Sequence, residues 1–428
     1  MAKTLPMIAN FDDIPAEALV PAAEQPYKIP AHWKWVWFGS VAKFIGGGTP
    51  DKSVSSFWDG EILWASVKDL HHPLITRTID TITKEGLANS STSLCDVGDL
   101  VLATRITPGK SAIATVPIAI NQDLKIVKTQ LLIPEYLQYY LNSQTCWFET
   151  NSSGSTVKGI RISSLAFLPV PLAPLDIQHG IVRRIEQANV KINKVLGLLG
   201  DFVEALSVRR AELIEAGVSG CLTQDWRETA RLRPDSWKKT TLGESLKWSS
   251  GGTPSRKNPS YFSGSIPWLK SGELPDGYIT TSEEHISEDA VSNSSAKIFP
   301  KNSVLIAMYG ATIGKVGILQ FDAATNQAIA AAMPSDSVKP EFLAYFLEAK
   351  RPNFIALGKG GAQANISQTI IKSFPLDLPT IEEQHVIVSR ISKGIYQLEK
   401  CASLVKQAIA ELNFLKDKLR ASALAGTM

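Results

Sequence analysis

The sequence predicts a mixed α/β (α+β) protein. Two tandem, repeated globular domains would be separated by two long helices that pair as an antiparallel coiled coil about a pseudo-two-fold axis. Three observations predict this fold: an internal repeat, a heptad pattern at the end of each copy, and short β-rich runs between turn clusters elsewhere. At 428 residues the chain is also longer than one hydrophobic core usually supports.

The internal repeat runs through nearly the whole chain. Matching residues lie 204 positions apart early in each copy and 206 apart later, so the copies differ by two residues inserted in loops. A register this long predicts two copies of one structural unit. The matching segments include Gly47-Gly48-Thr49-Pro50 with Gly251-Gly252-Thr253-Pro254, Asn121-Gln122 with Asn326-Gln327, Pro134 to Leu137 with Pro340 to Leu343, and Gln178-His179 with Gln384-His385.

Each copy is predicted to hold a compact α+β domain followed by one long helix. The domain would contain short strands, such as Leu100 to Thr104 and Ser303 to Met308, and one short amphipathic helix near Glu135 to Asn142 or Glu341 to Ala349. The predicted boundaries are 1–29 for an N-terminal arm without a counterpart, 30–175 for domain 1, 176–220 for helix 1, 221–233 for a linker, 234–379 for domain 2 and 380–428 for helix 2.

The clearest periodicity is the heptad spacing of apolar residues at the end of each copy. It predicts helices of roughly 40 residues, about 60 Å long, whose apolar stripes bury each other. Asp176 is the predicted N-cap of the first helix, and Thr380 with Glu383 forms a predicted capping box at the second. The predicted seam residues are Ile181, Ile185, Ala188, Ile192, Val195, Leu199, Phe202, Leu206 and Leu213, and Ile387, Ile391, Gly394, Leu398, Cys401, Val405, Ala408, Leu412, Leu415 and Leu419.

Composition excludes several classes of protein. No segment approaches the roughly 18 consecutive apolar residues of a membrane span, and the N-terminus lacks the pattern of an export signal. The four cysteines lie far apart, so neither a zinc site nor a disulfide framework is indicated. We therefore expect a cytoplasmic protein without a membrane partner. The net charge of +3 is too small to indicate nucleic-acid binding by itself.

Three segments are similar to catalytic or metal-binding motifs, but each departs from the motif's requirements. Gly310 to Lys315 has three residues between its glycines, where a phosphate loop has four, and Val316 stands where Ser or Thr should bind magnesium. Asn258-Pro259-Ser260-Tyr261 differs from the NPPY motif of amino-methyltransferases at its third residue, and no glycine-rich cofactor loop precedes it. His71-His72 has no further ligand at metal-binding spacing. We expect loops at all three places and neither catalytic nor metal-binding residues.

Polar, basic loops are the candidate nucleic-acid contacts. They comprise the GGTP loops, the glycine-rich segments 154–161 and 358–365, and the residues at the sheet edge. Arg, Lys, Gln and Asn are the residue types that bind phosphates and base edges, although a structural turn or a flexible surface loop is the competing interpretation. The candidates are Lys52, Arg105, Lys110, Lys158 and Arg161 in copy one, and Arg256, Lys257, Tyr309, Lys315, Lys359, Gln363 and Asn365 in copy two.

The repeated arrangement resembles the specificity subunits of type I restriction-modification systems. The resemblance covers almost the whole chain from Pro30. It rests on the GGTP loop followed by Ile266-Pro267-Trp268, on Gly310 to Lys315, on Asn326-Gln327 and Ile366-Ser367, and on the Pro-Leu and Gln that precede a long helix.

Copy one matches that family less closely than copy two. It has Thr107-Pro108-Gly109-Lys110 where the family often shows a second glycine, and Asp176-Ile177-Gln178 where Glu-Gln is usual.

The resemblance implies a non-catalytic protein that reads DNA. In that family, two target-recognition domains each bind one part of a split double-stranded DNA site, and the helices set the gap between the parts. Two methyltransferase subunits and the restriction (motor-nuclease) subunits assemble around them. S-adenosylmethionine, ATP and magnesium would belong to those partners, so no cofactor is expected in this chain.

Two alternatives stay open at this point. The chain could be a fragment or fusion product of a restriction-methyltransferase that retains its own activity, against which the missing cofactor loop and NPPY motif argue. It could also be a stand-alone DNA binder without enzyme partners. Neighbouring genes for a methyltransferase and a helicase-nuclease would discriminate between these readings.

Overall fold

The computed structural model describes residues 5–154, 157–233, 236–358 and 365–427. The chain divides into two compact units, residues 1–198 with 408–428 and residues 199–407. No helix of these described ranges is long and apolar enough to cross a membrane.

The first part of the chain contains eleven strands and six α-helices among its described residues. The strands are β1 (Lys34–Trp37), β2 (Lys43–Gly46), β3 (Trp58–Ala65), β4 (Leu74–Ile75), β5 (Asp80–Ile82), β6 (Ser93–Cys95), β7 (Leu100–Ala103), β8 (Ser111–Ala114), β9 (Ile118–Ile120), β10 (Leu124–Lys128) and β11 (Pro169–Leu172). The helices are α1 (Phe38–Val41), α2 (Lys84–Ala88), α3 (Pro134–Ser143), α4 (Thr145–Asn151), α5 (Ile162–Leu165) and α6 (Leu175–Val218).

The second part repeats this order of elements and adds the short helix α7 (Gln224–Thr229) before it. Its strands are β12 (Lys238–Thr241), β13 (Trp248–Ser250), β14 (Ile266–Leu269), β15 (Gly277–Ile279), β16 (Glu284–Ile286), β17 (Ile298–Phe299), β18 (Val304–Ala307), β19 (Val316–Leu319), β20 (Ala323–Thr325), β21 (Ile329–Ala332) and β22 (Pro375–Leu378). Its other helices are α8 (Leu242–Ser245), α9 (Glu288–Ser292), α10 (Pro340–Ala349), α11 (Arg351–Leu357), α12 (Gln368–Ser373) and α13 (Ile381–Leu424).

The sheets confirm that the two copies share one topology. In the first unit the strand orders are β2-β10-β7-β8-β4, β5-β3-β9-β6 and β1-β11. In the second unit they are β13-β21-β18-β19-β15, β16-β14-β20-β17 and β12-β22, which is the same order strand for strand. The predicted mixed fold with a repeated domain is therefore confirmed.

The five-stranded sheet lies in the middle of each domain because both of its faces are apolar. Leu100 and Leu102 of β7 point to one face and pack with the helix α3, whereas Val101 and Ala103 point to the other face, in a separate core cluster. This alternation follows from the two-residue period of a strand. The short amphipathic helix predicted in each copy is confirmed as α3 and α10, and their buried aromatic residues cover this sheet.

The N-terminal arm covers strand β1, which is largely apolar, whereas the equivalent strand β12 consists of lysines and threonines. The Val20 amide donates to the Trp35 carbonyl (3.0 Å), and Ile8, Ala18 and Val20 are buried in the first unit's core. In the second copy Trp35 is replaced by Lys239, which is exposed. An edge strand that carries lysine needs no cover, which explains why the arm has no counterpart.

The two long helices each span 44 residues. In the second unit they run antiparallel, since Leu213 lies against Gly394 while Gly217 lies against Ile391. In the first unit the Lys416 ammonium donates to the Asn193 side chain (2.9 Å). The predicted pairing of the helices is thus observed within each unit.

Four of the nineteen predicted seam residues are wrong by one residue, and the other fifteen are buried or half-buried. Ile185, Ile192, Leu199, Leu206 and Leu213 are buried or half-buried as predicted. In contrast, the predicted seam residues Val195, Phe202 and Leu415 are 43%, 48% and 47% exposed, and Cys401 is exposed.

Leu196, Val203, Ala402 and Lys416 take the places of those exposed residues at the seam. Leu196 and Val203 are as apolar as the neighbouring Val195 and Phe202, so apolar spacing alone does not distinguish the two registers. Polar residues also belong to the observed seam. Arg210 lies in it and donates to Glu348 (3.2 Å), and a search for apolar residues passes over such positions.

The predicted start of the first helix is wrong, whereas the predicted start of the second, at Thr380, is confirmed. The first helix begins at Leu175, so Asp176 lies within its first turn and is not the N-cap. At the second helix the Glu383 amide donates to the Thr380 hydroxyl (3.3 Å), as predicted. The Glu383 carboxylate, however, accepts hydrogen bonds from Thr223 (2.7 Å), Arg227 (2.5 Å) and Trp237 (2.8 Å). Only half of the capping box forms because this buried carboxylate holds the segment that precedes domain 2.

A buried glutamine ties each domain to its long helix. The Gln178 side chain accepts from the Ile133 amide (2.9 Å) and donates to the carbonyls of Leu131 (2.8 Å) and Ala173 (2.7 Å). Gln384 makes the equivalent three bonds in the second unit. Both glutamines are fully buried, so their partners have no water to replace these bonds.

Replacing Gln178 by leucine should therefore lower the free energy of unfolding by about 3 kcal/mol, because it leaves three buried backbone groups unpaired. Chemical denaturation monitored by tryptophan fluorescence would measure it. Gln187→Leu, at an exposed position of the same helix, is the control and should change stability by less than about 0.5 kcal/mol. Equal effects of the two substitutions would contradict the assigned role of Gln178.

Candidate nucleic-acid interface

The sheet topology brings two of the candidate segments and a third loop to one edge of each domain. Strand β10 is antiparallel to both β2 and β7, so β2 and β7 end at the same edge, where β10 begins. The segments 47–54, 104–110 and 121–123 therefore leave the sheet side by side. In the second unit β21 pairs in the same way with β13 and β18, and it gathers 251–258, 308–315 and 326–328.

The GGTP glycines are required by a close approach to the neighbouring strand. A Cβ atom at Gly47 would overlap the carbonyl oxygens of Ile120 and Asn121, and the same holds for Gly251 against Thr325. The indole of Trp64 donates to the Gly48 carbonyl (3.1 Å), and Trp268 donates to Gly252 (3.0 Å). The two glycines of GGTP are thus explained by this close packing. The loop positions the residues that follow it at the edge of the sheet.

A chain of hydrogen bonds joins these loops in the first unit. The Thr49 hydroxyl bonds to the Gln122 side chain. Asp123 accepts the Thr104 amide at its carbonyl (2.8 Å) and pairs through its carboxylate with Arg105 (3.2 Å). The Ile106 amide then donates to the Lys158 carbonyl (2.8 Å), which brings in the glycine-rich loop predicted as the second candidate.

The second unit has an equivalent series of hydrogen bonds between its loops, formed by different residues. Thr253 bonds to Gln327, the Met308 amide donates to the Ala328 carbonyl (2.8 Å), and Tyr309 forms a β-bridge with Asn365. We call the four joined segments the loop surface of each unit: 47–54, 104–110, 121–123 and 157–161 in the first, and 251–258, 308–315, 326–328 and 365–367 in the second.

Most of the sequence-predicted residues lie on these loop surfaces. The side chains of Lys110 and Lys315 are half-buried at the start of the following strand. Lys359 and Gln363 lie outside the described residues. The exposed members are Lys52, Arg105, Lys158, Arg161, Arg256, Lys257, Tyr309 and Asn365.

Arg256 is held by the protein more firmly than its sequence context indicated. Its guanidinium pairs with Glu284 (2.7 Å) and lies over the ring of Phe262 (4.1 Å). Because it accepts hydrogen bonds from Arg256 and from Lys270, Glu284 has a pKa below its ordinary value. Arg256 therefore orders the loop, and its exposed neighbour Lys257 is the better candidate for a phosphate contact.

Sequence reasoning missed two features of the loop surface. Gln122 and Gln327 are exposed and anchored by threonine, although the Asn-Gln pair served only to establish the repeat. Ile106 is 55% exposed and has a φ of +68°, a conformation that isoleucine by itself does not indicate. Its counterpart Gly310 (φ +66°) was the available signal.

The three motif-like segments serve local structure. In Gly310 to Lys315 the Gly314 amide donates to the Ala307 carbonyl and the Lys315 amide to Thr312 (both 2.9 Å), so neither amide is directed at a phosphate. The Asn258 side chain accepts from the Ser260 hydroxyl (2.8 Å), which closes a turn. Within the described ranges, no group of three or more potential metal ligands includes His71 or His72.

Two copies of one domain, each gathering basic loops at a sheet edge, define a tandem protein with a candidate nucleic-acid interface in each unit. A family model described as the type I restriction modification DNA specificity domain matches residues 30–195 and again residues 234–413. These matches cover more than half of the chain. The chain therefore belongs to this family.

Two of the curated relatives that the chain matches are specificity subunits. The specificity subunit of the Escherichia coli type I restriction enzyme EcoR124I/EcoR124II is 32% identical over 163 residues, which is 37% of this chain and 40% of that subunit. The MjaIX specificity subunit of Methanocaldococcus jannaschii is 24% identical over 69% of this chain and 70% of that subunit. This chain thus matches less than half the length of the bacterial relative.

Two solved structures share the fold. A chain from a study of complex assembly and conformational transition of the type I R-M system superposes with a TM-score of 0.70 at 19% identity, covering 94% of this chain and all of that one. The HsdS subunit from Thermoanaerobacter tengcongensis gives a TM-score of 0.61 at 20% identity, covering 95% of this chain and all of that one.

Gly47→Ala should disrupt the first loop surface, because the added methyl group meets two backbone carbonyls that cannot move without breaking the sheet. We expect DNA binding to weaken by at least tenfold, measured by fluorescence anisotropy on a duplex that holds the recognised site. Gly46→Ala is the matched control, since a Cβ atom there lies 3.8 Å from the flexible Lys125 ammonium. Loss of binding in both variants would show that the close approach at Gly47 is not the cause.

Proposed function

We propose that the chain reads two separate double-stranded DNA half-sites, one with each loop surface, as the specificity subunit of a type I restriction-modification complex. One observation carries this proposal: the same hydrogen-bonded loop surface is built twice in one chain, with different side chains at equivalent positions. Arg105 is matched by Tyr309, and Gly159 by Asn365. Two surfaces with one backbone and different chemistry suit two different base sequences.

The loop surfaces contain both kinds of group that DNA recognition uses. Lysines at the rim, such as Lys52, Lys158 and Lys257, suit phosphates, which set affinity and position. Arg105 and the amide of Asn365 suit base edges in the major groove, which set the sequence. This division predicts which substitutions change affinity alone and which change specificity.

Exposed apolar residues on the long helices support a role in assembly. Val190, Leu198 and Phe414 in the first unit are 69%, 60% and 61% exposed, and Tyr396 and Leu404 in the second are 62% and 59% exposed. We propose that two methyltransferase subunits bind these helices and that restriction subunits join them.

Under this proposal the chain contributes specificity and no catalytic step. S-adenosylmethionine, ATP and magnesium would be bound by the partner subunits, and the complex would act in the cytoplasm. Membership of a DNA specificity family supports this division of labour.

Methylome sequencing of a host that expresses the chain with its methyltransferase partner tests the proposal. We expect one methylated motif made of two half-sites with an unread gap. Replacing residues 30–175 by those of another specificity subunit should change one half-site and leave the other intact.

The isolated chain should transfer no methyl group and hydrolyse no ATP. Methylation by the chain alone would favour an enzyme fragment, and unchanged methylation in the absence of the chain would favour a stand-alone binder.

Lys257→Ala should weaken binding to every DNA sequence and lower the slope of log K against log salt by about one, because one phosphate contact is lost. Anisotropy titrations of the assembled complex at several salt concentrations measure this slope. Lys301→Ala is the control, since Lys301 is equally exposed but precedes β18, at the opposite end of that strand from Tyr309. An identical slope for the Lys257 variant and the parent would rule out the assigned contact.

A further inference from the structure

Ile106 occupies a strained backbone conformation at the tip of the first loop surface. Its φ is +68°, and the Thr107 amide donates to the Arg105 carbonyl (2.8 Å), which closes a three-residue γ-turn around it. A β-branched residue rarely adopts positive φ, because its Cβ atom crowds the backbone. A γ-turn with a positive central φ is itself rare and strained.

Both copies adopt a positive φ at this position, although the side chains differ. The equivalent residue in the second unit is Gly310, with a φ of +66°. Glycine adopts that φ without strain, so the second copy has the residue that the backbone favours. The first copy retains isoleucine at a cost in stability.

Packing of the Ile106 side chain does not offset the strain of its positive φ. The Ile106 side chain is 55% exposed. It lines a cleft whose other walls include Lys52, Asn121 and Gln122, and Arg105 and Lys158 are its neighbours through the hydrogen bonds described above. An exposed apolar group is thus held in a fixed position among cations and amides. Strain that folding does not explain points to a ligand contact.

We propose that Ile106 is a specificity-determining residue that contacts the C5 methyl group of a thymine in the half-site read by the first unit. The surrounding cations favour DNA as the ligand, and the thymine methyl is the apolar group that base pairs expose in the major groove. This inference rests on the proposed function. The second unit, with Gly310 in this place, makes no equivalent contact.

A stability measurement separates this role from a structural one. Ile106→Gly should leave the unfolding midpoint at or above that of the parent, because the strain is relieved. Val97→Gly, at a turn before the same strand β7 and also exposed (61%), is the matched control and should lower the midpoint slightly through greater freedom of the unfolded chain. A clear loss of stability in the Ile106 variant would show that its side chain supports the fold.

Selection from a randomised duplex library by the assembled complex tests the contact. The parent should select a split site with a thymine at one position that the Ile106→Gly complex no longer prefers, and the other half-site should be unchanged. Ile106→Asn, which tolerates positive φ but is polar, should lose the same preference. Val97→Gly should select the parental site.

Thymine-to-deoxyuracil substitution in the selected duplex removes the methyl group alone. At the affected position it should weaken binding of the parent complex about fourfold, as expected for one buried methyl group, and leave the Ile106→Gly complex unaffected. Identical sites selected by the parent and Ile106→Gly complexes, or no sensitivity to deoxyuracil, would overturn the inference. If the parent itself selects no split site, the proposed function fails, so the two failures are distinguishable.

Discussion

The loop surface of each unit depends on one pairing. A central strand, β10 or β21, is hydrogen-bonded on both edges to strands that run in the opposite direction. Its two neighbours therefore end at the edge where it begins, and loops far apart in sequence emerge together. Close approach of the GGTP glycines to the neighbouring strand end then sets the distance between those loops. Without this geometry the basic residues would be scattered.

The two copies share a backbone and differ in how they stabilise it. The first copy needs the N-terminal arm because Trp35 and its neighbours form an apolar edge strand. In the second copy the equivalent residue, Lys239, is exposed to solvent, so strand β12 needs no such cover. The second copy uses the buried carboxylate of Glu383 to hold its entering segment, where the first has Ile177. Many equivalent positions carry different residues in the two copies. The equivalent glutamines Gln178 and Gln384 are identical, and each joins a domain to its long helix.

The candidate site could be predicted in part. Glycine, cations and amides cluster in short loops, and this composition located most of the loop surface. It could not show that Arg256 is paired with Glu284, since the two residues are 28 positions apart and meet only through the fold. The strain at Ile106 could not be predicted for a similar reason. A positive φ is a property of the folded loop, and isoleucine in the sequence does not indicate it.

The sequence alone determined that there are two copies of one mixed α/β domain, each followed by a long helix, because a repeat register and a heptad period are one-dimensional patterns. It also determined the family, through motifs that repeat in the same order. Tertiary structure decided which helix residues face inward, because half-buried polar seam residues such as Arg210 are paired with partners that the sequence does not name. It also decided which loop residues are exposed, since burial and pairing arise only when distant segments come into contact.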